Sequence, residues 1–427
     1  MILGLDYRRA LAASCCSVLL LACGALPAQA ARAARGGKVT HGSAAASRYP
    51  AAATRAAFAH ASKSKAKPKK RKKPKLHGNP ARALAAFEAM QVRYYVLGSG
   101  LYAGEPFSYL WPFSQALAAT VSLANIPHLG VSMAHQLKAR LVGLRAYLDV
   151  NNSGAAEGTY TSTLAAFDGT VAPPVGPGGT KYYDDNDWVG IELVRLYKLT
   201  HDASALGAAE GIMAFVMEGW QTSPELGCPG GVPFHNALEN TDRNTVSTAP
   251  AAELALQLYK VTRSAQYLQF AQMAYQWVRI CLLQPSGMYA DHVNRKGVVE
   301  PTLWSYNQGT MVGAGALLYQ ATGDSGYLYE ARQTAQAAAA YFTPERLAVE
   351  NPFFPSVYFR NMMYLDSITH DPPGKTQAQA YVNDAWQFRR LSDNVFVAGT
   401  PASAQLLYQA AIAQIYALLS SPAGTYF

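Results

Sequence analysis

The sequence has few cysteines, little acidic charge and a single long apolar run. Three of its five cysteines, Cys15, Cys16 and Cys23, lie within the first 23 of 427 residues. No Cys-x-x-Cys pair and no Cys/His cluster has the spacing of metal ligands, so a zinc site is not expected. After residue 31 no stretch is apolar enough to cross a membrane, which argues against a multi-span membrane protein.

Several common motifs are also missing. There is no Gly-x-Ser-x-Gly elbow, which weakens the case for serine hydrolysis. The glycine-rich stretch 176–181 lacks the spacing of a phosphate-binding loop. Residues 149–154 open like a calcium loop, but Tyr160 stands where the twelfth position requires Glu.

Acidic charge is almost absent from the N-terminal part. Residues 1–77 contain 16 Lys and Arg and one acidic residue, whereas the remaining 350 residues contain 20 basic and 26 acidic residues. The overall net charge of +9 therefore comes from the N-terminal part alone, and the rest lacks the basic surface of a nucleic-acid-binding protein. Half of all residues are hydrophobic, enough to bury a sizeable core.

The N-terminus has the layout of a secretory signal. Arg8 and Arg9 precede an uncharged stretch, and Ala28-Gln-Ala30 offers a small-x-small cleavage site. We interpret residues 1–30 as a signal peptide and expect a secreted or cell-envelope protein. One alternative is lipidation at Cys23, because Leu20-Leu-Ala-Cys23 loosely resembles a bacterial lipobox. The other is an uncleaved anchor, because the stretch is just long enough to span a bilayer.

Residues 31–78 are predicted to be a disordered linker, because they almost lack large apolar side chains. Lys63–Lys75 contains nine basic residues around two prolines. This run is either a self-repelling spacer or a contact to anionic polymers and lipid headgroups of the cell envelope. The secretory signal argues against nucleic acid as a partner.

Residues 79–427 are predicted to form one all-α domain, which we expect to be a monomer. Apolar residues recur at three- and four-residue spacing, breaks carry Gly, Pro, Asn and Asp, and no long stretch alternates as a strand would. The predicted helices are 80–97, 112–125, 131–149, 186–200, 203–219, 245–262, 264–283, 306–322, 325–342, 356–369, 376–390 and 401–420.

An internal repeat suggests how these helices pack. Leu-Tyr-x-x-Thr occurs at residues 196–200, 258–262 and 318–322, and each copy is followed by a polar turn and a second apolar helix. The unit is a helical hairpin of about 60 residues that must stack on its neighbours. Six hairpins would close into an (α/α)6 barrel around a central pit; an open solenoid is the alternative.

The segment 182–188, Tyr-Tyr-Asp-Asp-Asn-Asp-Trp, is the most informative loop. Asp is a favoured helix N-cap, but a helix needs only one N-cap residue. The three acids Asp184, Asp185 and Asp187 therefore exceed what capping requires. Adjacent carboxylates repel, which tends to separate their pKa values into those of a nucleophile and a general acid. Capping and catalysis both remain open on this pattern.

Other polar and aromatic clusters open alternate hairpins. They contain residues suited to sugar rings and hydroxyls, and a barrel would bring them to one face. The remaining cysteines, Cys228 and Cys281, form an even pair in a predicted exported domain, so either a disulfide or two buried thiols is expected. The candidate substrate-binding residues are Tyr183, Trp188, Gln115, Asn244, Trp304, Tyr306, Asn307 and Gln308.

These motifs resemble glycoside hydrolase family 76, the endo-α-1,6-mannanases. The segments 182–188 and 306–309 (Tyr-Asn-Gln-Gly) carry the resemblance, with support from 228–232 and 243–247. The resemblance implies an (α/α)6 barrel and retaining hydrolysis of α-1,6-mannosidic bonds without metal or organic cofactor. It also implies Asp184 as nucleophile and Asp185 as general acid/base. Arg243 and Arg360 stand where Lys is usual, Pro233-Phe234 replaces aromatic residues, and Asp187 is an additional acid.

The sequence therefore predicts an exported glycoside hydrolase acting on an α-mannan or a related mannose-containing envelope glycan. Two alternatives remain: another (α/α)6 enzyme, such as a uronyl hydrolase or lyase, and a non-catalytic glycan-binding protein of the cell surface. We expect the helix N-terminus to keep Asp184 ionised and repulsion from that charge to keep Asp185 protonated. Asp187 is expected to serve as a cap or an outer substrate contact.

Overall fold

A computed structural model describes residues 76–150, 164–238, 240–398, 400 and 405–427. All of them belong to one compact unit, Arg71–Phe427. The predicted signal peptide and the basic run Lys63–Lys75 lie outside the described residues, as does nearly all of the predicted linker. Within the described ranges, no helix combines the length and the apolar character that a membrane span needs.

The described residues form thirteen α-helices and five two-residue strands. The helices are α1 (Gly78–Tyr94), α2 (Leu110–Ala124), α3 (Ala134–Leu144), α4 (Tyr183–Thr200), α5 (Ala203–Glu218), α6 (Thr245–Thr262), α7 (Ala265–Leu282), α8 (Ser305–Thr322), α9 (Ser325–Tyr341), α10 (Pro344–Val349), α11 (Phe353–Thr369), α12 (Pro373–Phe388) and α13 (Leu406–Leu418). The strands are β1 (Leu148–Asp149), β2 (Ala166–Phe167), β3 (Arg243–Asn244), β4 (His292–Val293) and β5 (Val299–Glu300).

Six helices form a closed inner ring. Helices α2, α4, α6, α8, α11 and α13 pack in that order, and α13 packs again on α2. Helices α1, α3, α5, α7, α9 and α12 pack against this ring from outside. The predicted all-α (α/α)6 fold is confirmed, and the closing contact between α13 and α2 excludes the open solenoid.

The sequence repeat marks the points where inner helices end. The side-chain hydroxyls of Thr200, Thr262 and Thr322 each donate to the carbonyl four residues earlier at 2.8 Å. The residue after each threonine has a left-handed backbone conformation, with φ between 57° and 77°. Its N–H donates to the carbonyl of the tyrosine of the same repeat; these residues are His201, Arg263 and Gly323. This is the single-bond left-handed cap that closes many helices.

Six helices, α1, α2, α4, α8, α11 and α12, begin one to three residues earlier than the sequence indicates. Helices α2, α11 and α12 carry a proline in or at the start of the first turn, where the missing N–H costs no helical hydrogen bond. Helix α4 begins at Tyr183 rather than at residue 186, and its N-cap Tyr182 makes no side-chain cap bond. Asp184 and Asp185 therefore lie inside the first turn, and neither is the N-cap residue.

Short strands join the hairpins at the same end of the ring. Antiparallel β1 and β2 form one pair, and β3, β4 and β5 form a three-stranded sheet in which Asn244, His292 and Glu300 lie side by side. The sequence pattern does not reveal strands this short. Strand β3 runs directly into α6, so the sheet is fixed to the start of an inner helix.

A disulfide joins Cys228 to Cys281, with the two Cα atoms 6.1 Å apart. It connects the loop after α5 to the last turn of the outer helix α7.

Candidate active site

The starts of four inner helices converge at one end of the barrel. Because hairpins alternate outer and inner helices, the inner helices run in one direction. Trp111 on α2 and Trp188 on α4 contact Phe353 at the start of α11, with ring centroids 5.4 and 5.5 Å apart. Tyr306 on α8 contacts Phe354 at 4.1 Å. These aromatic contacts bring segments that are distant in sequence to one place.

Asp184 and Asp185 lie in the first turn of α4, beside this aromatic cluster. Burial raises the pKa of Asp184 to about 7, the main-chain N–H groups of the first turn lower it, and the charge of Asp291 raises it. Burial, followed by the charge of Asp184, raises the pKa of Asp185 well above its usual value. Burial rather than the helix N-terminus dominates at Asp184, so its ionisation is less favoured than the sequence suggests.

Asn186, between the acids, fixes the segment in place. Its amide donates to the carbonyls of Phe167 and Tyr182 at 2.9 and 2.8 Å, and its oxygen accepts from the N–H of Phe167 at 2.9 Å. The N–H of Tyr183 donates to the carbonyl of Phe234 at 3.1 Å. The first turn of α4 is therefore attached both to β2 and to the loop that contains Phe234.

Asp187 does not occupy the expected outer position. It is fully buried, and neither carboxylate oxygen has a hydrogen-bond partner among the described residues. Burial, then the charges of Asp184 and Glu253, raises its pKa well above the usual value. Burial also raises the pKa of Glu253 to about 8. For both Asp187 and Glu253, burial inside the ring favours the uncharged form, and a Cβ at Gly313 would overlap Glu253.

Several predicted substrate-binding residues have polar atoms available. Among the described residues, no hydrogen-bond partner contacts Asp184 Oδ1, the Asn307 amide, Asn244 Oδ1 or the indole nitrogens of Trp111 and Trp188. Buried polar atoms are normally hydrogen-bonded, so this concentration favours a ligand that carries hydroxyl groups.

Two further candidates lie at the same end of the ring. Trp304 is half-buried at the N-cap of α8 and contacts Phe354 at 5.4 Å. Gln115 is buried on α2, and its amide donates to the hydroxyl of Ser114 at 3.1 Å.

Two predicted substrate-binding residues have structural roles instead. The Gln308 amide donates to the carbonyl of Tyr289 at 2.9 Å and its oxygen accepts from the N–H of Tyr289 at 2.7 Å. Tyr183 is fully buried and stacks on Phe215 of α5 at 4.5 Å. Gln308 therefore holds a loop, and Tyr183 packs between the two helices of a hairpin.

Four residues of the site escaped the sequence reasoning. Phe353 and Phe354 fall before the residue at which α11 was expected to begin, although they also open an inner helix. Asp291 and His292 lie in a short-strand segment with no helical period. Phe353 and Phe354 precede a proline at the start of an inner helix, and the search for aromatic residues at helix starts would have found them had it included such positions. Asp291 and His292 have no comparable signal in the sequence.

The cationic side chains near the site have partners. Arg243 donates to the carbonyls of Thr241, Gly227 and Cys228. Arg360 pairs with Glu192 at 2.7 Å, and both side chains are buried. In the described part of the chain, no group of three or more His, Cys, Asp or Glu residues is placed to hold a metal ion.

Comparison with known proteins points to one family. The model of glycosyl hydrolase family 76 matches residues 158–381. A family 76 mannosidase of Bacteroides thetaiotaomicron is 21% identical, with a TM-score of 0.70 over 80% of this chain and 98% of the other. A comparison with curated proteins gives no significant match.

Two other solved structures share the fold. An inactive variant of the α-1,6-mannanase of Salegentibacter sp., with two consecutive aspartates replaced by asparagine, was solved with α-1,6-mannotriose. It is 20% identical, with a TM-score of 0.66 over 80% of this chain and 99% of the other. Dfg5 of Chaetomium thermophilum, solved with glucosamine, is 14% identical, with a TM-score of 0.57 over 80% of this chain and 90% of that one.

Proposed function

The chain belongs to glycosyl hydrolase family 76 and is a glycoside hydrolase, and from this premise we propose that it cleaves α-1,6-mannosidic bonds in an α-mannan or a mannose-containing envelope glycan. One observation carries the proposal: two adjacent acids with raised pKa values, Asp184 and Asp185, beside buried polar atoms that have no hydrogen-bond partner in the described part of the chain. The Salegentibacter enzyme, whose inactive variant lacks two consecutive aspartates, supports the bond specificity by analogy.

In the proposed reaction, Asp184 attacks the anomeric carbon while Asp185 donates a proton to the leaving oxygen. Asp185 then accepts a proton from water, which hydrolyses the glycosyl–enzyme bond and regenerates both acids. The two titrations are coupled, because each ionised carboxylate disfavours ionisation of the other. Asp184 ionises first, since the N–H groups of the first turn favour its charged form and Asp185 has no comparable stabilisation. This route retains the anomeric configuration.

The alternatives have less support. A uronate-specific enzyme would need free Arg or His side chains for substrate carboxylates, whereas Arg243 and Arg360 are already bound to protein groups. A non-catalytic glycan-binding protein would need the aromatic cluster but not two coupled acids. The leader sequence and the disulfide support export to an oxidising compartment as part of the proposal.

The test is a glycan panel with Asp184→Asn and Asp185→Asn variants. We expect release of oligosaccharides from α-1,6-mannan by the wild-type protein, and a loss of several orders of magnitude in kcat in each variant. Each substitution removes an acid needed in the transition state, a step typically worth about 10²–10⁴-fold for proton transfer alone. Proton NMR of the first product tests retention of the anomeric configuration.

Asp324→Asn is the matched control. Asp324 is an exposed N-cap that accepts from the N–H of Gly326 at 2.8 Å, and Asn caps equally well. This variant should keep wild-type turnover. Near wild-type activity in Asp184→Asn, or binding without cleavage by the wild-type protein, would contradict the proposal.

A further inference from the structure

A histidine at the edge of the site lies between two carboxylates. His292 Nδ1 is 2.9 Å from Asp291 Oδ2, and its Nε2 is 3.7 Å from Asp242 Oδ2. His292 belongs to the middle strand of the three-stranded sheet. The main chain of Asp291 is also held, because its carbonyl accepts from Thr245 at 2.9 Å and its N–H donates to Glu300 at 3.0 Å. The whole arrangement is fixed to the start of α6.

Asp291, the hydrogen-bond partner of this histidine, acts on Asp184 through its charge. The charge of Asp291 raises the pKa of Asp184, and the charges of both acids raise the pKa of Tyr306. An ionised Asp291 therefore disfavours the carboxylate form of Asp184 that attacks a sugar. A cation bound to Asp291 would offset part of this repulsion.

The surroundings of His292 favour its charged form. Hydrogen bonding to Asp291 raises the pKa of His292, burial lowers it, and the net direction is upward. Two basic groups on the neighbouring β3 and α7 are otherwise engaged: Arg243 binds main-chain carbonyls, and Arg279 pairs with Glu330 at 2.9 Å. The carboxylates whose charges act on the imidazole are Asp291, Asp242 and Glu300.

We propose that His292 is a positioning residue of the hydrolysis: as a cation held between Asp291 and Asp242, it offsets the charge of Asp291 beside Asp184 and keeps Asp184 as an attacking carboxylate. The inference rests on the proposed function, because it takes Asp184 as the nucleophile. His292 acts through Asp291 and needs no contact with the sugar. Its effect is therefore on the pH range of the reaction.

The experiment compares pH profiles of kcat/KM on an α-1,6-mannan oligosaccharide. His292→Gln should move the acidic limb upward by roughly half to one pH unit, because Asp184 then faces an unneutralised Asp291. The rate should fall roughly three- to tenfold at pH 5 and little at pH 8, because the rate on the acidic limb follows the ionised fraction of Asp184. His292→Arg, which keeps a positive charge at this position, should return the acidic limb to its wild-type pH. A purely structural defect would lower the whole profile without moving it.

A second variant tests whether His292 acts through Asp291. Asp291→Asn should move the acidic limb to lower pH, and adding His292→Gln to it should cause no further shift. His370→Asn is the control: His370 is exposed, follows the C-terminal end of α11 and has a φ of 59° that Asn tolerates. This control should keep the wild-type profile.

The outcomes separate the inference from the proposed function. An active wild-type enzyme with an unmoved acidic limb in His292→Gln overturns the role of His292 and leaves the proposed function intact. A further shift of the limb when His292→Gln is added to Asp291→Asn would also overturn it. A wild-type protein that cleaves no α-1,6-mannan overturns both.

Discussion

Asp187 shows how burial changes the role of a single acid. It lies three residues after Asp184, and residues three apart share a helical face. Asp185 and Asp187 are two residues apart and so point in different directions, which suggested an outer position for Asp187. The side chain instead lies on the face of α4 that is buried inside the ring. An ionised carboxylate there would have no hydrogen-bond donor among the described residues, so burial favours the protonated form.

Asp187→Asn should leave most of the activity intact and raise thermal stability at neutral and alkaline pH. The raised folded-state pKa makes the folded protein bind a proton that the unfolded chain releases above about pH 4. Stability from this group is therefore lost as pH rises, and Asn removes that loss. The melting-temperature difference between variant and wild type, measured from pH 5 to pH 8, should grow with pH. A constant difference, or a loss of activity as large as that of Asp184→Asn, would show that Asp187 is ionised.

At the scale of elements, the described residues contain one covalent cross-link besides the main chain, the disulfide between Cys228 and Cys281. It joins residues 53 positions apart, and it attaches the loop after α5 to α7. Arg243 and Trp277 both donate to the carbonyl of Cys228 in this loop. The link therefore supports the loop that leads into β3 and the start of α6.

Replacing both Cys228 and Cys281 by Ser should lower the free energy of unfolding by up to about 4 kcal/mol, the chain-entropy value for a loop of this length. Denaturant unfolding of the variant and of wild type measures the loss. Intact-mass analysis after alkylation without reductant should find neither Cys228 nor Cys281 alkylated in the wild-type protein. Two alkylated cysteines there, or equal stability of the two proteins, would contradict the prediction.

At the scale of the whole molecule, buried acids set the response to pH. Burial raises the pKa of Asp168, Asp184 and Glu350 to about 7, of Glu253 to about 8 and of Asp366 to about 6. Each of these groups binds a proton more tightly in the folded state. We therefore expect folding to be most favourable at mildly acidic pH.

The melting temperature should fall as pH rises from about 5 to about 8, because the unfolded chain releases these protons above about pH 4 while the folded protein holds them. Scanning calorimetry across this range measures the slope. Glu253→Gln should make the slope shallower, whereas Asp324→Asn should leave it unchanged. A melting temperature that rises through pH 8 would show that these acids are ionised in the folded protein.

The sequence by itself determined the local features of this protein. Helical periodicity, the Leu-Tyr-x-x-Thr repeat and the acid pair at the start of α4 are properties of short segments, and short segments carry them in their residues. The two-residue strands depend on partners outside the segment, so the sequence pattern does not show them. Helix starts that precede a proline are local, because the first turn needs no N–H at that position.

Only the tertiary structure decided which of the residues at the helix starts face the site. Gln308 holds the loop at Tyr289, Tyr183 packs on Phe215, and Asp187 lies inside the ring. The charge of Asp291, a residue more than 100 positions further along the chain, acts on Asp184. Such contacts depend on how the ring closes and how each helix is rotated within it, and no local pattern records either.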